Sequence, residues 1–194
     1  MTKDKPDGVM LRFFLDTEFD DENDDMRLDL ISIGLVSEDG GREFYAECNA
    51  YDETRAHAWL QENVIPHLGP REQRLPVSSI REGLKKYFRA AVEGAEGRVT
   101  KVQIWSKNGS NDNTILGLIF GGLSKYYAFM NTLGVERTYF NDTDMLRRDL
   151  GDQKVKTERD PKHTAHHAMG DARHERREYG ALQDAIKAKK AQPV

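Results

Sequence analysis

One cysteine, Cys48, stands among 194 residues. A single thiol excludes an internal disulfide framework and suits a reducing compartment, so a cytoplasmic location is expected. Long apolar runs are missing as well. The longest patch, "ILGLIFGGL", falls far short of the ~20 residues that cross a bilayer, so no membrane partner is expected. The opening "MTKDKPDGVM" is polar and has no apolar core like that of a signal peptide. Nor is there an excess of positive charge: the net charge is −4, whereas most nucleic-acid-binding domains present a basic face. No internal repeat, low-complexity block or linker divides the chain.

What is present describes a soluble globular chain. Hydrophobic residues make up 38% and charged residues 32%, enough for one full core and short for two. One domain over residues 10–187 is expected, with flexible ends at 1–9 and 188–194. The charges are segregated. Acidic residues crowd positions 16–29, and basic ones gather later, at Arg147, Arg148, Lys154, Lys156, Arg159 and Lys162. Such a pattern can hold metal at one place and phosphates beside it; scattered solvated charge is the plain alternative.

Periodicity places the elements. Residues 11–17 read as a buried strand. "LDLISIGLVSEDGGREFYAE" reads as two strands joined by a turn at Asp39-Gly40-Gly41, a hairpin. A helix over residues 53–64 follows, ended near Pro66. In "SSIREGLKKYFRAAVE", Ser79 and Glu82 have capping-box spacing, and Ile80, Leu84, Tyr87, Phe88 and Ala91 share a face. Gly94 and Gly97 stop that helix. "KVQIW" is a fourth strand, and Asp112 opens a helix that breaks at Gly121-Gly122. "LSKYYAFMNTL" is another helix, with Gly134 past its end. "RTYF" is a fifth strand, "DTDMLRRDL" a helix, residues 151–164 a mobile polar loop, and the last helix runs from about 167 to 187. The fold class is mixed α/β, strands first and helices after.

Two stretches carry chemistry. In "FLDTEFDDE" a buried strand ends in carboxylates, and alternation turns Asp16 and Glu18 to one face with Thr17 opposite. At ~4 Å and an effective dielectric near 20, two such charges repel by ~4 kcal/mol. One is therefore protonated, a cation lies between them, or both fan out into water. Oxygen-only ligands favour a hard divalent ion such as Mg²⁺ or Mn²⁺. "DDENDD" lacks the glycine and terminal glutamate of an EF-hand loop, so Asp20, Asp21, Asp24 and Asp25 read as a solvated turn. In "HHAMGDA" a histidine precedes an aspartate by five residues, about 140° apart on a continuous helix. The two can cooperate only if His166 lies in the loop before the helix and Asp171 faces inward from its first turns. His163 and His167 compete for any histidine role, and a surface histidine cluster is the alternative.

"FLDTEF", "GSNDNTIL" and "HHAMGDA" resemble, in order, the three motifs of the DEDDh 3'→5' exonucleases, whose fold is similar to ribonuclease H. More narrowly, "DTEF", "WLQENVIPHL" and "HHAMGDAR" resemble the small mycobacterial-type 3'→5' exoribonuclease group, over about residues 10–180. The resemblance implies a mixed sheet with its first three strands antiparallel, flanked by helices. It implies two divalent ions, Mg²⁺ or Mn²⁺, about 3.5–4 Å apart, with Asp16 bridging both. Glu18 and Asp171 would complete the first site, and Asp112 would support the second through water. His166 would be the general base. The activity implied is release of nucleoside 5'-monophosphates from single-stranded 3' ends or overhangs of RNA, with a homodimer as a possible assembly. Phe19 replaces a small residue near the presumed base pocket, so it either stacks on a base or packs in the core. Thr17, Phe19, Arg147 and Arg148 are candidate substrate contacts, with Lys154, Lys156 and Lys162 beside them. Trp59 and Trp105 are expected in the core. A DNA exonuclease of the same mechanism, and a non-catalytic RNA-binding module, remain as alternatives.

Overall fold

Val9–Asp20 (β1) carries Phe13, Phe14 and Leu15 side by side, and all three are fully buried. A strand apolar on both faces is covered only at the centre of a layered sheet, and that is its place. The computed structural model of the chain describes residues 8–22, 27–151, 154–161 and 165–191. Asp24, Asp25, Lys162 and His163, singled out above, lie outside the described residues, as do residues 1–7 and 192–194 of the expected tails.

Asp29–Ser37 (β2) pairs antiparallel with β1, and Glu43–Glu47 (β3) antiparallel with β2. The expected hairpin turn is made by Gly40, whose φ of 73° suits a residue without Cβ. Val99–Ser106 (β4) runs parallel to β1, and Arg137–Asp142 (β5) parallel to β4. The sheet is thus mixed, in the order β3-β2-β1-β4-β5, with its first three strands antiparallel.

Six α-helices accompany it among the described residues: Ala58–Asn63 (α1), Val77–Glu93 (α2), Ser110–Ile119 (α3), Leu123–Thr132 (α4), Thr143–Leu150 (α5) and Ala168–Ala191 (α6). Strand alternation sends Phe13 and Leu15 to one face, where they meet Ile80, Leu84 and Phe88 of α2 and Ile115 and Leu116 of α3. Phe14 points the other way and packs with Val36, Trp105, Ala172 and Tyr179 under α6. Trp105 is therefore a core residue, as expected. No helix among the described residues is long and apolar enough to cross a membrane.

Four local expectations fail. Asp20, expected in a solvated turn, is the last residue of β1, is buried, and accepts from the Tyr51 hydroxyl at 2.8 Å. Residues 53–64 form a 3₁₀ turn, Glu53–Arg55, and then α1, because Asp52 caps the turn and Ala56 and His57 are extended. The capping box at Ser79 and Glu82 does not exist. Proline fixes the entry at Pro76, three residues earlier than the box requires, and Glu82 instead pairs with Lys85 at 2.8 Å. The last helix continues four residues past Lys187, to Ala191.

One glycine decides how the layers meet. Gly34 lies opposite Asp16 in the β1–β2 register. A Cβ there would stand 2.4 Å from the Ala168 carbonyl oxygen and 2.5 Å from the Met169 nitrogen. The missing side chain lets the first turn of α6 rest on the sheet beside Asp16.

Candidate active site

Asp16 and Glu18 follow Phe14 on the alternating pattern, so they share the face that α6 covers. Asp171, in the first turn of α6, comes to the same place. One ligand oxygen from each of Asp16, Glu18 and Asp171 lies within 4.8 Å of the others. Asp112 arrives from the opposite layer. β1 pairs with β4 only as far as Phe14 and then overhangs, which frees the Thr17 amide. Asp112 Oδ1 accepts from that amide at 2.8 Å and from the Thr17 hydroxyl at 2.6 Å. Thr17 thus ties Asp112 to the strand that carries the other two.

The electrostatics are those of crowded, buried negative charge. Glu18 is 8% exposed and Asp112 6%. Burial first, then Asp171 and Asp112, pushes Glu18 up to about 8. Burial raises Asp112 to about 6, against the two Thr17 hydrogen bonds that hold it down. Asp16 rises well above the usual carboxylate range through burial and then through Asp112, Glu18 and Asp171. The donor set is all oxygen, close, and under-compensated, which fits a hard divalent cation.

The two histidines of the third motif do different things. His166 lies outside α6 with φ of 65°, a left-handed backbone uncommon for any residue but glycine. That turn aims the amides of His166 and His167 at Asp171 Oδ2, at 2.8 and 3.2 Å. The His166 ring meets Trp59 edge-on, centroids 4.7 Å apart. His167 caps the helix: its Nδ1 accepts from the Gly170 amide at 3.3 Å, and its ring stacks on Tyr45 at 4.7 Å. Expecting Trp59 in the core was wrong. It is 46% exposed, because the short α1 buries only Leu60.

The sequence model of the 3'-5' exoribonuclease Rv2179c-like domain matches residues 11–183. The chain belongs to this family. It is also 34% identical over 116 residues to the 3'-5' exoribonuclease Rv2179c of Mycobacterium tuberculosis strain H37Rv, and equally to 3'-5' exoribonuclease MT2234.1 of strain CDC 1551. Each alignment spans 59% of this chain and 64% of the relative, less than two thirds of the relative's length.

In this Rv2179c-like domain the remaining sequence candidates divide. Phe19 is half-buried and packs against the main core. Arg147 is engaged by buried Glu178 and, at 3.4 Å, by Asp144. Arg148, Lys154 and Lys156 are exposed. Sequence reasoning missed Glu175, a 4% exposed carboxylate one turn after Asp171. Burial raises it to about 7 although Thr143 donates to it at 2.7 Å, and its charge bears on Asp16. The i,i+4 spacing from Asp171 was the available signal. It also missed that Arg159, from the loop before α6, pairs with Asp171.

Proposed function

We propose that this chain is a metal-dependent 3'→5' exoribonuclease of the DEDDh type on a ribonuclease H-like fold, releasing nucleoside 5'-monophosphates from single-stranded 3' ends. The observation that carries the reading is the convergence of Asp16, Glu18 and Asp171 within 4.8 Å, in a chain of this family. Asp16, Glu18, Asp112 and Asp171 would hold two divalent cations, Mg²⁺ or Mn²⁺. Bound there, the cations supply charge that activates water and steadies the leaving 3'-oxygen.

The chain's own groups do the rest. Asp16 and Glu18 are fixed by their strand, and Asp112 is fixed by Thr17, so the carboxylates are preorganised. Asp171 is aimed by the backbone amides of His166 and His167. His166, displayed by its left-handed turn, takes the proton of the attacking water. His167 holds the turn by capping α6. Exposed Trp59, beside His166, offers a face on which a base can stack.

The test is release of nucleotides from 3'-labelled RNA and from the matched DNA, with Mg²⁺, with Mn²⁺ and with EDTA. Metal-dependent release of 5'-monophosphates from RNA is expected. Faster release from DNA replaces the ribonuclease reading with its DNA counterpart. No release from either leaves the non-catalytic binding module.

A further inference from the structure

Beside the carboxylates, α6 changes sign. His174 and Arg177 follow Asp171 at steps of three residues, so they neighbour one another on the helix surface, ~4.5 and ~9 Å further along its axis. Polar atoms of both are left unpaired. Nδ1 of His174 and Nε and Nη2 of Arg177 are buried, with no hydrogen-bond partner among the described residues. Two more cations approach from other segments: Arg159, from the loop before α6, and Lys107, the residue after β4. After burial itself, Arg159, Arg177 and Lys107 all press the His174 ring toward its neutral form, opposed by Asp171.

Neighbouring arginines each have an acceptor for part of the guanidinium, although Nε of Arg176 and of Arg147 is also buried without a hydrogen-bond partner among the described residues. Arg173 donates to Glu43 at 2.7 Å, Arg176 to the Glu38 carbonyl at 3.1 Å, and Arg147 is paired with Glu178. Buried donors without acceptors cost ~1–3 kcal/mol each, and gathered cations repel one another. Both penalties vanish when an anion sits among them.

We propose that Lys107, Arg159, His174 and Arg177 form a seat for a backbone phosphate of the substrate strand, the one next to the phosphate cleaved at the carboxylates. This rests on the proposed function and deepens it. One helical turn separates the acidic cluster from the seat, so the polynucleotide runs along α6 away from Asp171. Arg159, paired with Asp171 in the free chain, turns to the phosphate when the strand enters. The contact reads charge and spacing, with no preference among bases.

Binding of a fluorescent single-stranded RNA decanucleotide tests this, with Ca²⁺ replacing Mg²⁺ to suppress turnover, across a salt series. Lys107→Gln, at an exposed position that cannot unfold the chain, and Arg177→Gln should each weaken binding by about 5-fold. Each should also reduce the magnitude of the log–log salt slope by about 0.7, the loss of one phosphate contact on a single strand. Adenosine 5'-monophosphate, which brings only the phosphate at the carboxylates, should bind both variants like the unsubstituted chain. Lys125→Gln, an exposed control on α4, should change neither ligand. An unchanged slope in both seat variants overturns the seat alone. Equal losses for the mononucleotide also overturn it, because the cations would then serve the carboxylate site itself. Failure of the unsubstituted chain to bind or cleave RNA overturns the proposed function first, and the seat with it.

Discussion

Two carboxylate clusters of this molecule differ in one respect: only one of them supplies its own countercharge. Glu47 and Glu53 close on Arg74, whose side chain is 8% exposed. Its Nε stands 3.3 Å from Glu47, and the Gly69 amide donates to both Glu47 oxygens at 2.9 Å. Asp16, Glu18 and Asp112 are crowded together as well, but Arg159, which reaches in from an exposed loop, pairs with Asp171 and only partly offsets the charge on Glu18. A matched cluster fixes structure. An unmatched one, held in place by Thr17 and by two backbone amides, is built for a charge from outside.

Breaking each cluster should have opposite consequences. Asp171→Asn removes a proposed metal ligand together with part of the crowded negative charge, so the fold should persist while turnover falls on the order of 10⁴-fold. Nucleotide release together with a circular-dichroism melt checks both halves, and retained turnover removes Asp171 from the ligand set. Arg74→Met does the reverse. It strands Glu47 and Glu53 without a partner and should cost about 3–5 kcal/mol of stability, read from the urea midpoint, while leaving the carboxylates of the active site where they are.

His166 and His167 sharpen the comparison within a single dipeptide. His166→Ala should lower the rate by about 10²–10³, within the range for a proton-transfer group, with Mn²⁺ affinity preserved. His167→Ala should lower stability by about 1 kcal/mol through the lost cap and the lost stack on Tyr45. If the rate loss follows His167 instead, the assigned roles are exchanged.

The dipeptide also shows what a sequence can reveal. Five-residue spacing sets two side chains about 140° apart on one continuous helix, so His166 and Asp171 could cooperate only if His166 lay outside α6, and it does. Alternation likewise told that Asp16 and Glu18 share a face, and the five helical positions named on α2 are the five it buries. What stayed hidden depends on the third dimension. Trp59 sits in an apolar stretch, but a six-residue helix has too little buried face to cover it. The demand for glycine at position 34 comes from the backbone of α6, 134 residues later. Glu175 resembles any surface glutamate of a charged helix until Thr143 and the sheet close over it. Arg147 and Arg159 carry the same formal charge in the sequence, yet one is spent on Glu178 and the other stands at the site.

The last comparison concerns pH, and it separates the two clusters. Glu18 rises from 4.5 to about 8, Glu175 from 4.5 to about 7 and Asp112 from 3.8 to about 6. A folded-state pKa above the unfolded value means that the fold binds the proton more tightly than the open chain does. The resulting stability is complete below about pH 4 and is lost as pH rises through 6 to 8, as the three groups ionise in place. The metal-free chain should therefore melt at falling temperatures over that window, by a few kcal/mol in all. Glu18→Gln, which never ionises, should remove the upper part of the fall. Mn²⁺ at pH 8 should restore the melting temperature by binding the folded chain alone. Melts in EDTA and in Mn²⁺ at pH 5, 6.5 and 8 read all three effects. A metal-free chain equally stable at pH 5 and pH 8 would mean that the unmatched charges are neutralised from within, like Glu47 and Glu53, and that no cation is called for.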